Sequence, residues 1–179
     1  MNSNSVRELF GGAITMSLPS NLIDAATLRQ IPDTQEVYLY PDSNVSIIVE
    51  ILESVEPDHP HEAAKFHFDS LAHDNSALSS HVENVTVITN DRGDGTPSPV
   101  VLKGTQNVPK FNRTNVDNVA ILLAVYRVEG KSVDVVLSMN IPLLADDHGE
   151  ARPEQVETAK AAFDTAVRSL SIVDFGLFA

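Results

Sequence analysis

The side chains of this sequence whose placement invites a chemical reading are carboxylates and histidines; with no cysteine, thiol chemistry and disulfides are excluded. One stretch concentrates them usefully. In Leu28 to Tyr38, LRQIPDTQEVY, Pro32 fixes its own φ, and Asp33 and Thr34 are suited to hydrogen-bond nearby amides, so the chain should reverse there. The β-branched and aromatic residues from Val37 to Tyr40 then predict a strand. Asp33 and Glu36 are thereby expected on a stiff, exposed corner, ionised and accessible. They are a poor acid–base pair, since an exposed corner desolvates neither group and tunes neither for proton transfer. Glu50, inside the apolar run VSIIVEIL, is a better candidate for a perturbed carboxylate. The simpler reading, a residue near a strand edge paired to a basic side chain, is preferred for it.

The six histidines invite a metal reading, above all His59-Pro60-His61 with His67, His73 and His81. Their spacing argues against it. His67 and His73 do not have the i, i+4 geometry of a helical zinc pair, and no His-Glu-X-X-His motif occurs. Surface or helix-end positions are expected for them. Asp91-Arg92-Gly93-Asp94-Gly95 resembles a calcium loop only at its start: Gly93 stands at the third ligand position and Leu102 where the glutamate should be. A hairpin loop is expected, with its Arg-Gly-Asp triplet a coincidence. There is no Gly-X-Ser-X-Gly elbow, and Gly11–Gly12 is followed by no lysine-bearing phosphate loop. No catalytic residue, cofactor or metal is expected on these grounds.

The elements that must position these groups are legible from periodicity. Arg7 to Leu18 alternates well enough for a strand, with Gly11–Gly12 suggesting a bulge or a close backbone approach. Asp24 is a plausible N-cap for a single helical turn to Arg29. Val45 to Leu52 is apolar on both faces apart from Glu50, as in a strand covered on both sides. A helix follows from Pro60, with Ala64, Phe68 and Leu71 on one stripe, and strands are predicted at Val82–Thr89, Val100–Val108, Asn118–Val128 and Ser132–Ile141. Glu129-Gly130-Lys131 is short enough to make the last two antiparallel. Asn90 to Pro99 is turn-rich. Pro153 opens a second helix whose Val156, Ala159, Phe163, Val167 and Leu170 recur at helical spacing, and Phe175, Leu177 and Phe178 can pack back. The expected fold is α/β of the α+β type: a largely antiparallel central sheet of about six strands with helices on both faces.

At 179 residues, with 42% apolar and 21% charged, a single domain over 1–179 is expected, residues 1–6 forming a flexible tail. Absence of cysteine fits a reducing compartment. MNSNSVRELF has neither the basic start nor the apolar run of a secretory signal, and no stretch reaches the length of a membrane span. Asn2 and the Leu-Phe-Ala ending offer no lipidation motif, and the sequons at Asn44, Asn84 and Asn112 then read as chance. The formal charge of −13 repels nucleic acid and anionic membranes and either speeds encounter with a basic partner or serves solubility alone.

Several segments taken in order resemble the Ran guanine nucleotide release factor family, the fungal members most. ELFGGAIT (Glu8–Thr15), PSNLIDAATLRQIPDTQEV (Pro19–Val37), SIIVEILE (Ser46–Glu53), EAAKFHFDSL (Glu62–Leu71), VDVVLSMNIPL (Val133–Leu143) and the ending Val173–Ala179 carry the likeness. Ser76 to Asn115 matches poorly. The resemblance implies the fold of the photosystem II protein PsbP, an α/β/α sandwich. It also implies binding of the GTPase Ran, release of its nucleotide, support of nuclear import, and residence in the nucleus and also the cytoplasm. In that family the Asp and Glu of the Pro-Asp-X-Gln-Glu-Val motif are associated with Ran binding; they fall on Asp33 and Glu36, with Thr34, Gln35 and Asp24 as further candidates and a monomer as the expected state. Two other readings stand beside it: an acidic Ran-binding adaptor without release activity, and a small enzyme using Glu50 or the histidines.

Overall fold

The computed structural model describes residues 3–109, 116–144 and 149–179. The sequon at Asn112 and part of the poorly matching middle stretch lie outside the described residues. β3 (Ile23–Asp24), β4 (Gln35–Leu39), β5 (Ser46–Glu53), β6 (Ser79–Val87), β7 (Val100–Pro109), β8 (Val116–Val128) and β9 (Val133–Leu144) form one antiparallel sheet in the order β3-β4-β5-β9-β8-β7-β6. The Gly130 turn joins β8 to β9 as expected, and their pairing runs from Val128↔Val133 to Asn118↔Leu144.

The two helices cover opposite faces of this sheet. On one face α1 (Pro60–Asp74) seats Ala64 and Phe68 on Val100, Leu102, Ile121, Leu123, Val125 and Val136. On the other, α2 (Pro153–Ser169) packs Ala159, Phe163 and Val167 with Val101, Leu122, Ala124, Leu137 and Met139. The alternation of Leu122 and Leu123 between two cores is why β8 reads as a continuous apolar run. Gly104 permits the tight fit under α1: a Cβ there would lie 2.5 Å from the His81 carbonyl oxygen and 2.8 Å from the Phe68 ring.

Both helices start as their sequences require. Pro60 and Pro153 occupy first-turn positions where a missing N–H costs nothing, and His59 Nδ1 accepts the His61 amide at 3.2 Å. The far end of α2 is closed from outside. Arg92 donates to the carbonyls of Arg168 and Leu170, groups that the helix itself leaves unpaired.

Three expectations are corrected. Residues 4–6 are no flexible tail, and Arg7–Leu18 is no single bulged strand. β1 (Asn4–Leu9) and β2 (Ile14–Pro19) form an antiparallel hairpin, Asn4↔Pro19 to Leu9↔Ile14, and with β10 (Ser171–Ile172) a separate three-stranded sheet. Gly11 and Gly12, with φ of 69° and 95°, turn the chain where a bulge was expected. The central sheet has seven strands, in keeping with the expected count of about six. β5 is also less enclosed than VSIIVEIL suggests: Ile47 and Val49 are buried, but Ile48, Glu50 and Leu52 are half-exposed because α1 lies over β6, β7 and β8. The ending does pack back, with Phe175, Leu177 and Phe178 against the α2-side core.

Candidate functional site

The corner before β4 is built from backbone. The Gln35 amide donates to the Pro32 carbonyl at 2.9 Å, closing the turn, and the Ile51 amide donates to the Thr34 carbonyl at 2.9 Å, fastening it to β5. Pro32, Asp33 and Thr34 are exposed. Among the described residues Asp33 has no hydrogen-bond or ion-pair partner, so its carboxylate is held on a rigid support and left free. That is the arrangement expected for it.

Glu36 is different, and the expectation of an accessible pair is corrected there. Its side chain is half-buried, and Oε1 accepts the Phe10 amide at 2.9 Å. Phe10 has a φ of 51°, a left-handed conformation that a bulky residue rarely adopts. Glu36 therefore clasps the tip of the β1–β2 hairpin to β4. Pleating explains the asymmetry: Glu36 and Tyr38 point to the α2 side with their partners Val49 and Ile47, whereas Gln35 points to the other side with Glu50.

Gln35 Nε2 donates to Glu50 Oε1 at 3.1 Å, so the partner of Glu50 is an amide and not the basic side chain expected. Asp24 is the cap foreseen for Ala25–Thr27: Oδ1 accepts the Ala26 amide at 3.0 Å, and its carbonyl accepts the Thr27 hydroxyl at 2.7 Å. Asp24 pairs in register with Tyr38. The Tyr38 hydroxyl is pushed up to about 12 by burial first, then by the negative charges of Glu36 and Asp24, with Arg7 opposing. The Arg7 guanidinium lies 5.3 Å from the Tyr38 ring centre and donates to the carbonyls of Ser20 and Leu22. Arg7 and Phe10 thus belong to the corner although they lie outside the Leu28–Tyr38 stretch, and Tyr38, read there only as a strand residue, joins them. Strand alternation could have placed Tyr38 beside Glu36; nothing local could have brought Arg7 and Phe10 there.

The other candidate groups are dispersed. His59 caps a helix, and His73 and His81 are exposed, as expected. His67 corrects the surface expectation. It is 5% exposed and its Nε2 lies 2.8 Å from Asp134 Oδ2. Asp134, 0% exposed, also receives Arg127 Nε at 3.1 Å, the Ser54 hydroxyl at 3.1 Å and the Val55 amide at 3.3 Å. Burial by itself would raise this carboxyl, but the bonds from His67, Arg127 and Val55 hold it below the usual carboxylate range. The network joins α1 to β8, β9 and the segment after β5. Among the described residues no three His, Asp or Glu side chains converge as a metal site.

The loop between β6 and β7 is a strut. Asp94 accepts from Asn90 at 2.9 Å, the Thr96 amide at 3.0 Å, the Ser171 hydroxyl at 2.8 Å and Arg92 at 3.0 Å. Those bonds outweigh its partial desolvation and hold its carboxyl low. The Arg and Asp of the Arg-Gly-Asp triplet are consequently engaged by hydrogen bonds within the chain at the surface, with Arg92 on the end of α2.

Fold and corner together define a class: α+β proteins made of one long antiparallel sheet with a helix on each face and a charged turn at the short-strand edge. Within that class, the chain belongs to the family of Ran-interacting Mog1 proteins, whose family profile matches residues 7–142. It is 34% identical to the nuclear import protein MOG1 of Saccharomyces cerevisiae, over 100% of this chain and 86% of that one. It is 32% identical to the human Ran guanine nucleotide release factor, over 95% and 94% of the two chains. The crystal structure of the S. cerevisiae Ran-binding protein Mog1p superposes with a TM-score of 0.78 at 30% identity, covering 100% of both chains.

Proposed function

We propose that this protein binds the GTPase Ran and promotes release of its bound guanine nucleotide, supporting protein import from a location in the nucleus and also the cytoplasm. The observation that carries the reading is full-length similarity to proteins named Ran guanine nucleotide release factor, at 29% identity in Danio rerio and 32% in human. We take Asp33 and Glu36 as the centre of the binding surface, with Thr34, Gln35 and Asp24 around them. The free carboxylate of Asp33, held on a closed turn, supports that choice.

The mechanism needs no proton transfer. A factor that binds nucleotide-free Ran more tightly than nucleotide-bound Ran lowers nucleotide affinity by the same ratio, because the coupling is reciprocal. On this reading the protein is a regulator of a GTPase rather than an enzyme, acts as a monomer, and uses no cofactor. Asp33 meets a basic group of Ran. Loss of such a contact costs about 2–5 kcal/mol if it is buried in the complex and much less at the rim.

The test is the rate at which Ran loses a fluorescent guanine nucleotide when this protein is added. Acceleration by the parent, sharply reduced in Asp33→Ala, is the expected result, together with weaker association as salt is raised. Binding without acceleration would leave an acidic adaptor. Unchanged binding and release in Asp33→Ala would remove the corner from the site.

A further inference from the structure

Positive charge is scarce here and unevenly placed. Lysine and arginine number 12 against 25 acidic residues. Arg92, Lys103, Lys160 and Arg168 nevertheless line two adjoining hollows on the α2 side of the sheet. The larger, of about 440 Å³, runs between β6–β7 and the flank of α2; the smaller, of about 150 Å³, continues it beneath the β6–β7 loop. They share Ile88, Thr89, Val167 and Arg168, so they form one groove. Among the described residues Asp91 and Asp164 are the carboxylates in its lining; Asp164 is bound to Arg168 at 3.1 Å and Arg92 to Asp94 at 3.0 Å, which leaves Lys103 and Lys160 as its unpaired positive charges. Lys103 and Lys160 are exposed and, among the described residues, have no ion-pair partner. The floor is apolar, with Val101, Leu122 and Phe163 beneath and Val87, 44% exposed, at the lip.

We infer that this groove is a second interaction surface, one that takes an acidic protein segment carrying apolar side chains. Charge decides the occupant. A molecule of net charge −13 repels an acidic chain over most of its surface, so the place where the sign inverts selects both position and orientation. Carboxylates meet Lys103 and Lys160, and apolar side chains cover Val87 and the exposed edge of the floor. Nucleic acid fits less well. A long polyanion would run onto the surrounding negative surface, and the aromatic residues lining the groove, Phe163 and Tyr126, are 3% and 1% exposed, leaving no stacking platform. The surface is also remote from the Asp33 corner. β6 is one edge of the sheet and β4 lies next to the other, five strand spacings or roughly 24 Å away.

The full chain is titrated against a fluorescein-labelled peptide of repeated Glu-Leu-Asp-Phe, with anisotropy as the readout, alongside Lys103→Glu/Lys160→Glu. Both lysines are exposed, so the variant keeps the fold, which circular dichroism verifies. The expected result is binding that weakens about tenfold or more in the variant and falls as salt rises, but is unchanged in Asp33→Ala. Amide shifts on peptide addition should centre on residues 86–89, 101–103 and 160–168. Equal binding by the charge-reversed variant, or shifts centred elsewhere, overturns the inference. So does preference of the groove for labelled poly-dT, or a concentration-dependent dimer abolished by the same variant.

Discussion

Asp33 and Glu36 are neighbours in one motif but do different physical work, and mutation should separate them. Asp33 has no partner among the described residues, so Asp33→Ala should leave the unfolding free energy from urea titration within about 0.5 kcal/mol of the parent while weakening Ran association. Glu36→Ala removes the acceptor of the half-buried Phe10 amide and should cost about 1–3 kcal/mol. Glu36→Gln keeps an acceptor oxygen at that position and should restore most of the loss. If Glu36 also meets Ran through its charge, Glu36→Gln should be stable yet bind weakly; if clasping the hairpin is its whole contribution, Glu36→Gln should bind like the parent. Equal stability of Glu36→Ala and the parent would contradict the clasp. The sequence made Asp33 legible because a proline-led turn is local chemistry. It hid the clasp because Phe10 lies 26 residues away, and it hid the burial of His67 because Asp134 lies 67 residues away.

At the scale of elements, most strands were readable because each carries its own alternation, and β8 because it must satisfy two cores. The N-terminal hairpin was not. Alternation continues across Gly11–Gly12, so the pattern alone does not distinguish a bulge from a reversal; only pairing of Leu9 with Ile14 does. Nor does local pattern say how far a helix extends over a sheet, which is why β5 looked fully covered. Gly104 shows the same limit. Within its strand it reads as a weak point, yet it is where the Phe68 ring meets β7. Gly104→Ala should destabilise by about 1–3 kcal/mol, because the clash at 2.5 Å is with the His81 backbone and cannot be relieved by a rotamer change. Chemical denaturation measures it. Phe68→Leu should recover little, since the His81 carbonyl would still be struck; full recovery would locate the strain at the ring instead.

For the molecule as a whole, the Asp134 network ties α1, β8, β9 and the segment after β5 into one unit, and its protonation should register in global stability. The carboxyl is held below its usual range by His67, Arg127 and the Val55 amide despite burial. A folded-state pKa below the unfolded value of about 3.9 means that the stabilisation is fully present above that pH and is lost as pH falls through the folded value. Near neutrality Asp134 therefore adds no pH slope; in acid it adds a steep one. Asp134→Asn should cost about 3–5 kcal/mol at pH 7, because it strands Arg127 and His67 without their shared anion. The same variant should lose less on acidification, since the group that titrates is gone. The deciding measurement is the difference in urea midpoint between pH 7 and pH 3, taken for both proteins. A smaller difference in Asp134→Asn assigns the acid sensitivity to this network. An equal difference would place it among the many surface carboxylates of a chain carrying −13, whose titration the variant leaves untouched.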